Sequence, residues 1–282
     1  MAMIKLILSD MIIAFMWVWA GVLNKIVVFK LLGLGSSQVD GEVVKGCIAV
    51  LTMFFFAWLG KATGGGAYNP LTVLSGAVSG GLAAFLFTVC GRIPAQVFGS
   101  IIGVKLIKDS FPEVGHGPRL NVDIHWGAMT EGLLTFTIVT ISLGLKRTNS
   151  SSFFIKTWIS SISKLSLHIL GSDLTGGCMN PASAMGWAFA RGDHITMEHL
   201  FVYWVAPIEA ALVAQWLFKL LTQPHEKQKQ IAAEASTIDL LCSTRDGSCC
   251  RTSQNEEGDS TIVWTVLVRA ENSAPKATLK VL

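Results

Sequence analysis

Charged residues are scarce in this sequence. Asp, Glu, Lys and Arg together make up 15% of the 282 residues, whereas hydrophobic residues make up 51%. Soluble domains carry about 25% charged residues, so the composition excludes an ordinary soluble globule and indicates a polytopic membrane protein. The small net charge of +3 fits lysines at membrane boundaries and argues against a nucleic-acid partner.

The sequence also lacks the patterns that carry enzyme or metal chemistry. Its six cysteines show no paired spacing, which argues against a disulfide framework and against a zinc site. We find no enzyme motif, activated nucleophile or metal cluster, and therefore expect neither catalysis nor a cofactor. No small-residue cleavage pattern accompanies the first apolar run, so we expect that run to be kept as a membrane span.

A short phrase occurs twice in the chain. Residues 65–71 read Gly-Gly-Ala-Tyr-Asn-Pro-Leu, and residues 176–182 read Gly-Gly-Cys-Met-Asn-Pro-Ala. Glycine permits positive φ angles, while asparagine and proline favour the cap and the first position of a helix. Each phrase therefore predicts a loop that opens a short helix. The two triplets at the helix starts are Asn69, Pro70, Leu71 and Asn180, Pro181, Ala182.

Six long apolar runs surround the two phrases. They occupy residues 6–32, 43–59, 82–107, 128–145, 153–170 and 200–221. The apolar stretch after each phrase is only about ten residues long, whereas a membrane span needs about 20. Each phrase therefore predicts a re-entrant half-helix. Each half of the chain has three spans, and this odd number inserts the halves in opposite directions, so the half-helices meet near the midplane.

These features predict an all-α membrane protein with six transmembrane helices and two re-entrant half-helices in an inverted repeat. We expect a channel domain at 1–224, with repeats at about 1–110 and 126–222. Residues 225–282 are polar and mixed in composition, which predicts a disordered cytosolic tail. The loop lysines and arginines favour one side of this topology, and the positive-inside rule makes that side, with both termini, cytosolic.

The two half-helices define the predicted site. Each amino end carries roughly half a positive charge, and two such ends that face each other repel cations. The amides of Asn69 and Asn180 add fixed hydrogen-bond donors for a passing water or hydroxyl-bearing solute. We therefore predict a passive channel for water and small neutral solutes through the lipid bilayer. The plain alternative is two unrelated Asn-Pro turns, which the repetition of the whole phrase disfavours.

Several ionisable residues lie inside the apolar runs. Asp10 and Glu131 open the two halves, and such carboxylates either accept hydrogen bonds from the backbone N–H groups of re-entrant loops or relay protons. Lys164 and His168 share a helix face that we expect to meet the protein or pore interior, unless the lysine extends to the membrane interface. We expect Arg92 to pair with a carboxylate that the sequence does not identify.

The chain resembles the major intrinsic protein (aquaporin) family, and within it the plant small basic intrinsic proteins of type 2. The resemblance covers about residues 1–224 and leaves out the tail. It implies a homotetramer with one pore per subunit in the endoplasmic reticulum membrane, and it favours the structural role for the two carboxylates. Besides the Asn-Pro triplets, the resemblance is carried by residues 9–11, 15–17, 130–136 and 168–178.

The sequence departs from the water-selective pattern of this family. Its first triplet ends in Leu71 where the common triplet ends in alanine, and Ser183 stands where water-selective members carry arginine. By the family's spacing, the other selectivity-filter positions are Ala49, His168 and Gly177. The resemblance therefore implies a wide filter whose main polar group is His168, and we predict a pore that passes water poorly or together with small neutral solutes.

Two further functions remain open at the level of sequence. A proton-coupled secondary transporter would use the same broken helices, with Asp10, Glu131 or His168 as proton carriers. A non-conducting membrane protein would act through its tail. The short Asn-Pro half-helices favour the channel, because a static pore needs no large movement of either repeat.

Overall fold

The structure, a computed structural model, describes residues 2–35, 39–78, 80–113, 117–148 and 152–222. The predicted tail at 225–282 lies outside these residues. Residues Met1–Phe218 form one compact unit. The helices within the described ranges are α1 (Ala2–Leu31), α2 (Val39–Ala62), α3 (Pro70–Ala77), α4 (Gly81–Ser110), α5 (Ile124–Arg147), α6 (Phe153–Gly171), α7 (Pro181–Arg191) and α8 (Met197–Thr222).

Six of these helices are long, and they correspond to the six predicted spans. Five of them, α1, α2, α4, α5 and α8, are long and apolar enough to cross a membrane. The sixth, α6, has 19 residues, or about 28 Å at 1.5 Å per residue. It is less apolar than the others because lysines, serines and a histidine lie among its apolar residues. The predicted all-α membrane fold with two half-helices is confirmed.

The two half-helices, α3 and α7, have 8 and 11 residues and each begins at a proline. An asparagine caps each one. The side-chain oxygen of Asn69 accepts a hydrogen bond from the Leu71 N–H at 3.0 Å, and that of Asn180 accepts from the Ser183 N–H at 3.4 Å. These bonds satisfy N–H groups that have no partner within the helix, so local sequence alone sets where both half-helices start.

Each half-helix packs against long helices of the other repeat. One buried cluster joins α1, α4 and α7 through Val18, Val22, Val104, Ile107 and Trp187. A second joins α3, α5 and α8 through Leu71, Val139, Ala211 and Ala214. The repeats therefore interlock, and neither half-helix depends only on its own repeat for burial.

The third long helix of each repeat contains a widened π-helical turn. The turns lie at Thr88–Arg92 in α4 and Phe201–Val205 in α8, and a proline follows each after one further residue, Pro94 and Pro207. Proline lacks an N–H and cannot continue the α-helical ladder, and π turns occur where that ladder is interrupted. The two turns are thus a structural repeat with a shared local cause.

A glycine of α4 sets how closely α4 approaches α1. A Cβ at Gly99 would lie 2.0 Å from the carbonyl oxygen of Met11, which is far inside van der Waals contact. Gly103, one turn later, would meet the Val18 side chain at 2.5 Å. This crossing therefore requires small residues on α4, and it places α1 beside the half-helix α7.

Replacing Gly99 with alanine is expected to lower the melting temperature of the purified protein in detergent by several degrees. The added methyl group must push α4 away from α1, and overpacking of this kind costs about 1–3 kcal/mol. The matched control is Gly21→Ala in α1, where a Cβ would meet nothing within 4 Å and alanine favours the helix. Equal melting temperatures for the two variants would contradict this packing.

Candidate pore

The amino ends of α3 and α7 meet through reciprocal hydrogen bonds. The side-chain nitrogen of Asn69 donates to the carbonyl oxygen of Met179 at 2.7 Å. The side-chain nitrogen of Asn180 donates to the carbonyl oxygen of Tyr68 at 3.3 Å. Each asparagine therefore contacts the residue that precedes the other, and the two helix amino ends point at one another. Because an amide nitrogen has two hydrogens, each side chain keeps one donor beyond this contact.

A buried ion pair holds the loop before α3. Asp10, which is 0% exposed, accepts the Ala67 N–H at 2.7 Å. The Nε and Nη2 groups of Arg92 donate to the two Asp10 oxygens at 2.6 and 2.9 Å, and Nη2 also donates to the Gly65 carbonyl at 2.6 Å. The structure thus identifies Asp10 as the carboxylate partner of Arg92. One bidentate pair satisfies an N–H and a carbonyl of the same loop.

A second buried carboxylate holds the loop before α7. Glu131 is 0% exposed and accepts the N–H groups of Cys178 and Met179, each at 2.8 Å. It also accepts the Thr175 hydroxyl at 2.7 Å. Met179 has a positive φ of 46°, a conformation that side chains rarely adopt, and the carboxylate helps to hold it. A hydrogen bond from α8, the third long helix of this repeat, completes the arrangement. The Tyr203 hydroxyl donates to the Thr175 carbonyl at 2.7 Å.

The two loops are therefore held by corresponding residues. In each repeat the first long helix, α1 or α5, supplies a carboxylate that accepts hydrogen bonds from loop N–H groups. The π turn of the third long helix, α4 or α8, supplies a side chain that donates a hydrogen bond to a loop carbonyl. Arg92 and Tyr203 each lie 23 residues after the asparagine of their own repeat. Sequence reasoning missed the role of Tyr203, and this equal spacing is the signal that would have found it.

A cavity of about 590 Å³ leads to the paired asparagines. Four helices and both loops line it, and Asn69 and Met179 lie at its inner end. Along α6 the lining runs from Phe153 to Lys164, which spans about 16 Å of helix at 1.5 Å per residue. Its remaining polar lining comes mostly from hydroxyls and lysines: Thr72, Ser75, Ser142, Lys146, Lys156, Thr157, Ser160, Ser161 and Lys164.

Lys164 contacts the aromatic residues beside the first asparagine. Its ammonium lies 3.2 Å from the Tyr68 hydroxyl, 4.6 Å from the centre of the Trp17 ring and 4.8 Å from the centre of the Tyr68 ring. The Trp17 and Tyr68 rings are stacked at 3.9 Å, and Phe56 packs edge-on against both. Neither Trp17 nor Tyr68 was predicted at the site, because their contact with Lys164 joins residues far apart in sequence.

The predicted filter positions lie beyond the inner end of this cavity. None of Ala49, His168, Gly177 and Ser183 lines it, and His168 follows Lys164 by one turn of α6. The Nδ1 atom of His168 is 3.1 Å from the Gly177 carbonyl oxygen. A carbonyl only accepts, so Nδ1 carries a hydrogen, and in the neutral form of the ring Nε2 is an acceptor.

Close packing accounts for glycine at position 177. A Cβ there would lie 2.6 Å from the His168 carbonyl oxygen, and the φ angle of Gly177 is +49°. Both facts disfavour a side chain. The loop therefore runs directly against α6, and this contact sets the distance between His168 and the start of α7.

The remaining residues of the two phrases are mainly buried. Leu71 and Ala182 are 2% and 0% exposed, and Leu71 belongs to the cluster with α5 and α8. The Cys178 sulfur donates to the Asn180 carbonyl at 3.3 Å. Among the described residues, no group of three His, Cys, Asp or Glu side chains is placed to hold a metal ion.

This fold and site define a class of polytopic α-helical membrane protein in which two capped half-helices face each other at the end of a cavity. The family model described as "Major intrinsic protein" matches residues 1–218, and the chain belongs to this family. The family resemblance predicted from the repeated triplets is thereby confirmed.

Relatives from plants match most of the chain. "Probable aquaporin SIP2-1" of Arabidopsis thaliana is 55% identical over 230 residues, which cover 82% of this chain and 97% of the relative. "Aquaporin SIP2-1" of Oryza sativa subsp. japonica is 51% identical over 234 residues, covering 82% and 93%. "Aquaporin SIP1-1" of Zea mays is 34% identical over 232 residues, covering 79% and 94%. The chain is thus more similar to these type 2 proteins than to this type 1 protein.

A solved structure has the same fold. The X-ray structure of the aquaglyceroporin from Plasmodium falciparum superposes with a TM-score of 0.60 and covers 78% of this chain and 95% of its own. The sequence identity is 16%, so the likeness concerns the fold alone.

Proposed function

We propose that this protein is a passive channel for water and small neutral solutes. The meeting of the half-helices carries this proposal. The Asn69 and Asn180 side chains are each fixed by a cap bond and by a bond to the opposite loop. One N–H on each is left for an acceptor oxygen in transit. The positive helix ends disfavour cations at the same point.

The proposed filter consists of Ala49, His168, Gly177 and Ser183. Two of these residues have no polar side chain, and Ser183 is small and uncharged. His168 therefore supplies the largest polar group, with Nε2 as an acceptor for the hydroxyl or amide hydrogens of a solute. Such a filter admits solutes wider than water, and selection by size is weaker than in a filter that contains an arginine side chain.

The buried carboxylates serve as anchors in this proposal. Both Asp10 oxygens and both Glu131 oxygens receive hydrogen bonds from loop or side-chain donors, and both residues are 0% exposed. A proton carrier must exchange protons with water on each side in turn, and this environment offers no such exchange. The observed contacts therefore favour a channel over a proton-coupled transporter, which would show uphill uptake driven by a proton gradient.

The sidedness and assembly stay predictions. Lys61 at the end of α2 lies over the Phe153 ring at 3.9 Å, and Lys146 and Lys156 line the same cavity. Basic residues thus gather at the mouth of the cavity, which supports a cytosolic mouth under the positive-inside rule. The homotetramer and the endoplasmic reticulum membrane rest on the family resemblance, and the domain limit at 224 and the cytosolic tail rest on composition.

Liposomes containing the purified protein are expected to swell faster than empty liposomes when water, urea and glycerol are tested by stopped-flow light scattering. Asn180→Asp is expected to lower these fluxes about tenfold or more. A carboxylate has no N–H to give to the Tyr68 carbonyl or to a solute, and a lost hydrogen bond of about 1.4 kcal/mol in the barrier is a factor of ten.

The matched control is Asn121→Asp. The Asn121 amide donates to the Asp173 carbonyl at 3.1 Å on an exposed loop, away from the paired asparagines, and its loss is expected to leave the fluxes unchanged. Equal fluxes in the wild-type protein and Asn180→Asp would contradict a pore at the asparagine pair. Wild-type swelling no faster than that of empty liposomes for every solute would contradict the channel itself.

A further inference from the structure

Lys164 is a half-buried cation near the paired asparagines. It lies at the inner end of the cavity with Asn69 and Met179. Within the described ranges, no carboxylate lies at ion-pair distance from it, and no Asp or Glu lines the cavity. Its ammonium donates to the Tyr68 hydroxyl and lies over two ring faces, contacts that favour a fixed cation.

Other charges also lie near the asparagine pair. Asp10 and Arg92 form a bidentate pair, and so contribute little net field. The two half-helix amino ends together supply about one positive charge. Glu131 lies directly behind the second loop, where its carboxyl group accepts three hydrogen bonds. A negative charge on Glu131 weakens the repulsion that the helix ends exert on cations, and the positive charge of Lys164 adds to that repulsion.

We propose that Lys164 determines the charge selectivity of this pore by excluding cations at the inner end of the cavity. This inference rests on the proposed channel function. The aromatic contacts hold the ammonium beside the loop that contains Asn69, where the low-dielectric surroundings strengthen its field. Neutral solutes experience no net repulsion there, and their acceptor oxygens find donors on the ammonium and the asparagine amides. Lys156 lies two turns of α6 farther from the asparagine pair, where its charge acts over a longer distance.

Lys164→Met tests the inference, because methionine keeps an unbranched side chain and removes the charge. Liposomes with this variant are expected to show potassium and proton permeabilities about tenfold or more above wild type, since a charge in a low-dielectric pore controls ion entry. The readouts are a potassium-diffusion potential and a trapped pH dye. Lys164→Arg is expected to retain cation exclusion. Tyr68→Phe, which removes the hydroxyl and leaves the charge, is also expected to retain it.

Lys156→Met is the matched control. Lys156 lies on the same cavity wall, two turns of α6 and about 12 Å nearer the mouth, and the substitution changes the net charge of the chain equally. It is expected to leave cation permeability close to wild type. An equal rise in both methionine variants would overturn the assignment to Lys164, because the effect would then follow the overall charge of the cavity.

Chemical restoration of the charge gives a second measurement. Lys164→Cys is expected to leak cations, and modification with aminoethyl methanethiosulfonate, which adds an ammonium to the thiol, is expected to stop the leak. The wild-type protein receives the same treatment, because Cys47, Cys90 and Cys178 are also free. Cation permeability that is unchanged in both Lys164→Met and Lys164→Cys would overturn the inference. Urea and glycerol fluxes are measured on the same samples, because the channel proposal predicts these fluxes whether or not cations leak. Solute flux with unchanged cation permeability would therefore overturn the role of Lys164 and leave the channel proposal standing.

Discussion

Replacing Arg92 with alanine is expected to destabilise the protein by about 3–5 kcal/mol. This loss is larger than the loss expected when an exposed charged side chain is removed. The change leaves Asp10 charged and buried, because the Asp10 side chain is 0% exposed and that of Arg92 only 13%. The Gly65 carbonyl also loses its donor, and the loop before α3 loses one of its anchors. The measurements are the melting temperature in detergent and the fraction of protein that remains monodisperse.

A double-mutant cycle measures the interaction energy between Arg92 and Asp10 apart from their contacts with neighbouring groups. Asp10→Ala removes the acceptor of the Ala67 N–H as well as the partner of Arg92. The double variant contains no unpaired buried charge, so its loss of stability is expected to be smaller than the sum of the single losses, as for other residues in contact. Additive losses would show that Arg92 and Asp10 do not act as a pair.

An exposed pair provides the control for charge removal. Lys30 and Glu113 form a salt bridge whose side chains are about half exposed, and pairs of this kind contribute little. Lys30→Ala is therefore expected to leave the melting temperature close to wild type. A loss equal to that of Arg92→Ala would contradict burial as the cause of the large effect.

Glu131→Gln is the second change with a large expected effect. Three donors converge on the Glu131 carboxylate: the Thr175 hydroxyl and the N–H groups of Cys178 and Met179. Glutamine retains one oxygen and turns an N–H₂ group toward these donors, and each buried donor left without an acceptor costs about 1–3 kcal/mol. We expect a much lower melting temperature and loss of solute flux, because the strained backbone at Met179 is no longer held.

This variant also distinguishes an anchor from a proton carrier. As an anchor, Glu131 affects stability and flux together, and the same Glu→Gln change at the exposed Glu198 leaves both unchanged. As a proton carrier, Glu131→Gln would keep the wild-type melting temperature and abolish only a pH-dependent transport current. The second pattern would contradict the structural role and favour the transporter.

Local sequence predicted the elements of the fold because their determinants are local. Apolar runs of sufficient length define the spans, and an asparagine followed by a proline defines where each half-helix starts. The predicted runs and the observed helices therefore differ mainly at their ends, as with α1, which begins four residues before the predicted 6–32. The polar face of α6 was also visible from residue spacing, because Lys164 and His168 recur at the period of a helix.

Local sequence could not predict which groups the charged side chains inside the protein contact. The contact between Arg92 and Asp10 joins positions 82 residues apart, and Lys164 meets Tyr68 across 96 residues. Such pairs depend on how α1, α4 and α6 cross, and that crossing depends on close approaches such as the one at Gly99. The role of Tyr203 became apparent only when its bond to the second loop could be compared with that of Arg92 to the first.

The sequence by itself determined that this protein is a helical membrane protein with two inverted repeats, two capped half-helices and two intramembrane carboxylates. Periodicity, length and capping chemistry are properties of short segments, and they act before any long-range contact forms. Only the tertiary structure decided that the half-helices bind each other through reciprocal amide bonds and that Arg92 pairs with Asp10. It also decided that Lys164 lies at the inner end of a cavity with no carboxylate partner among the residues that the structure describes. Those features arise where the two repeats interlock, because burial in a shared core selects which distant polar groups must satisfy one another.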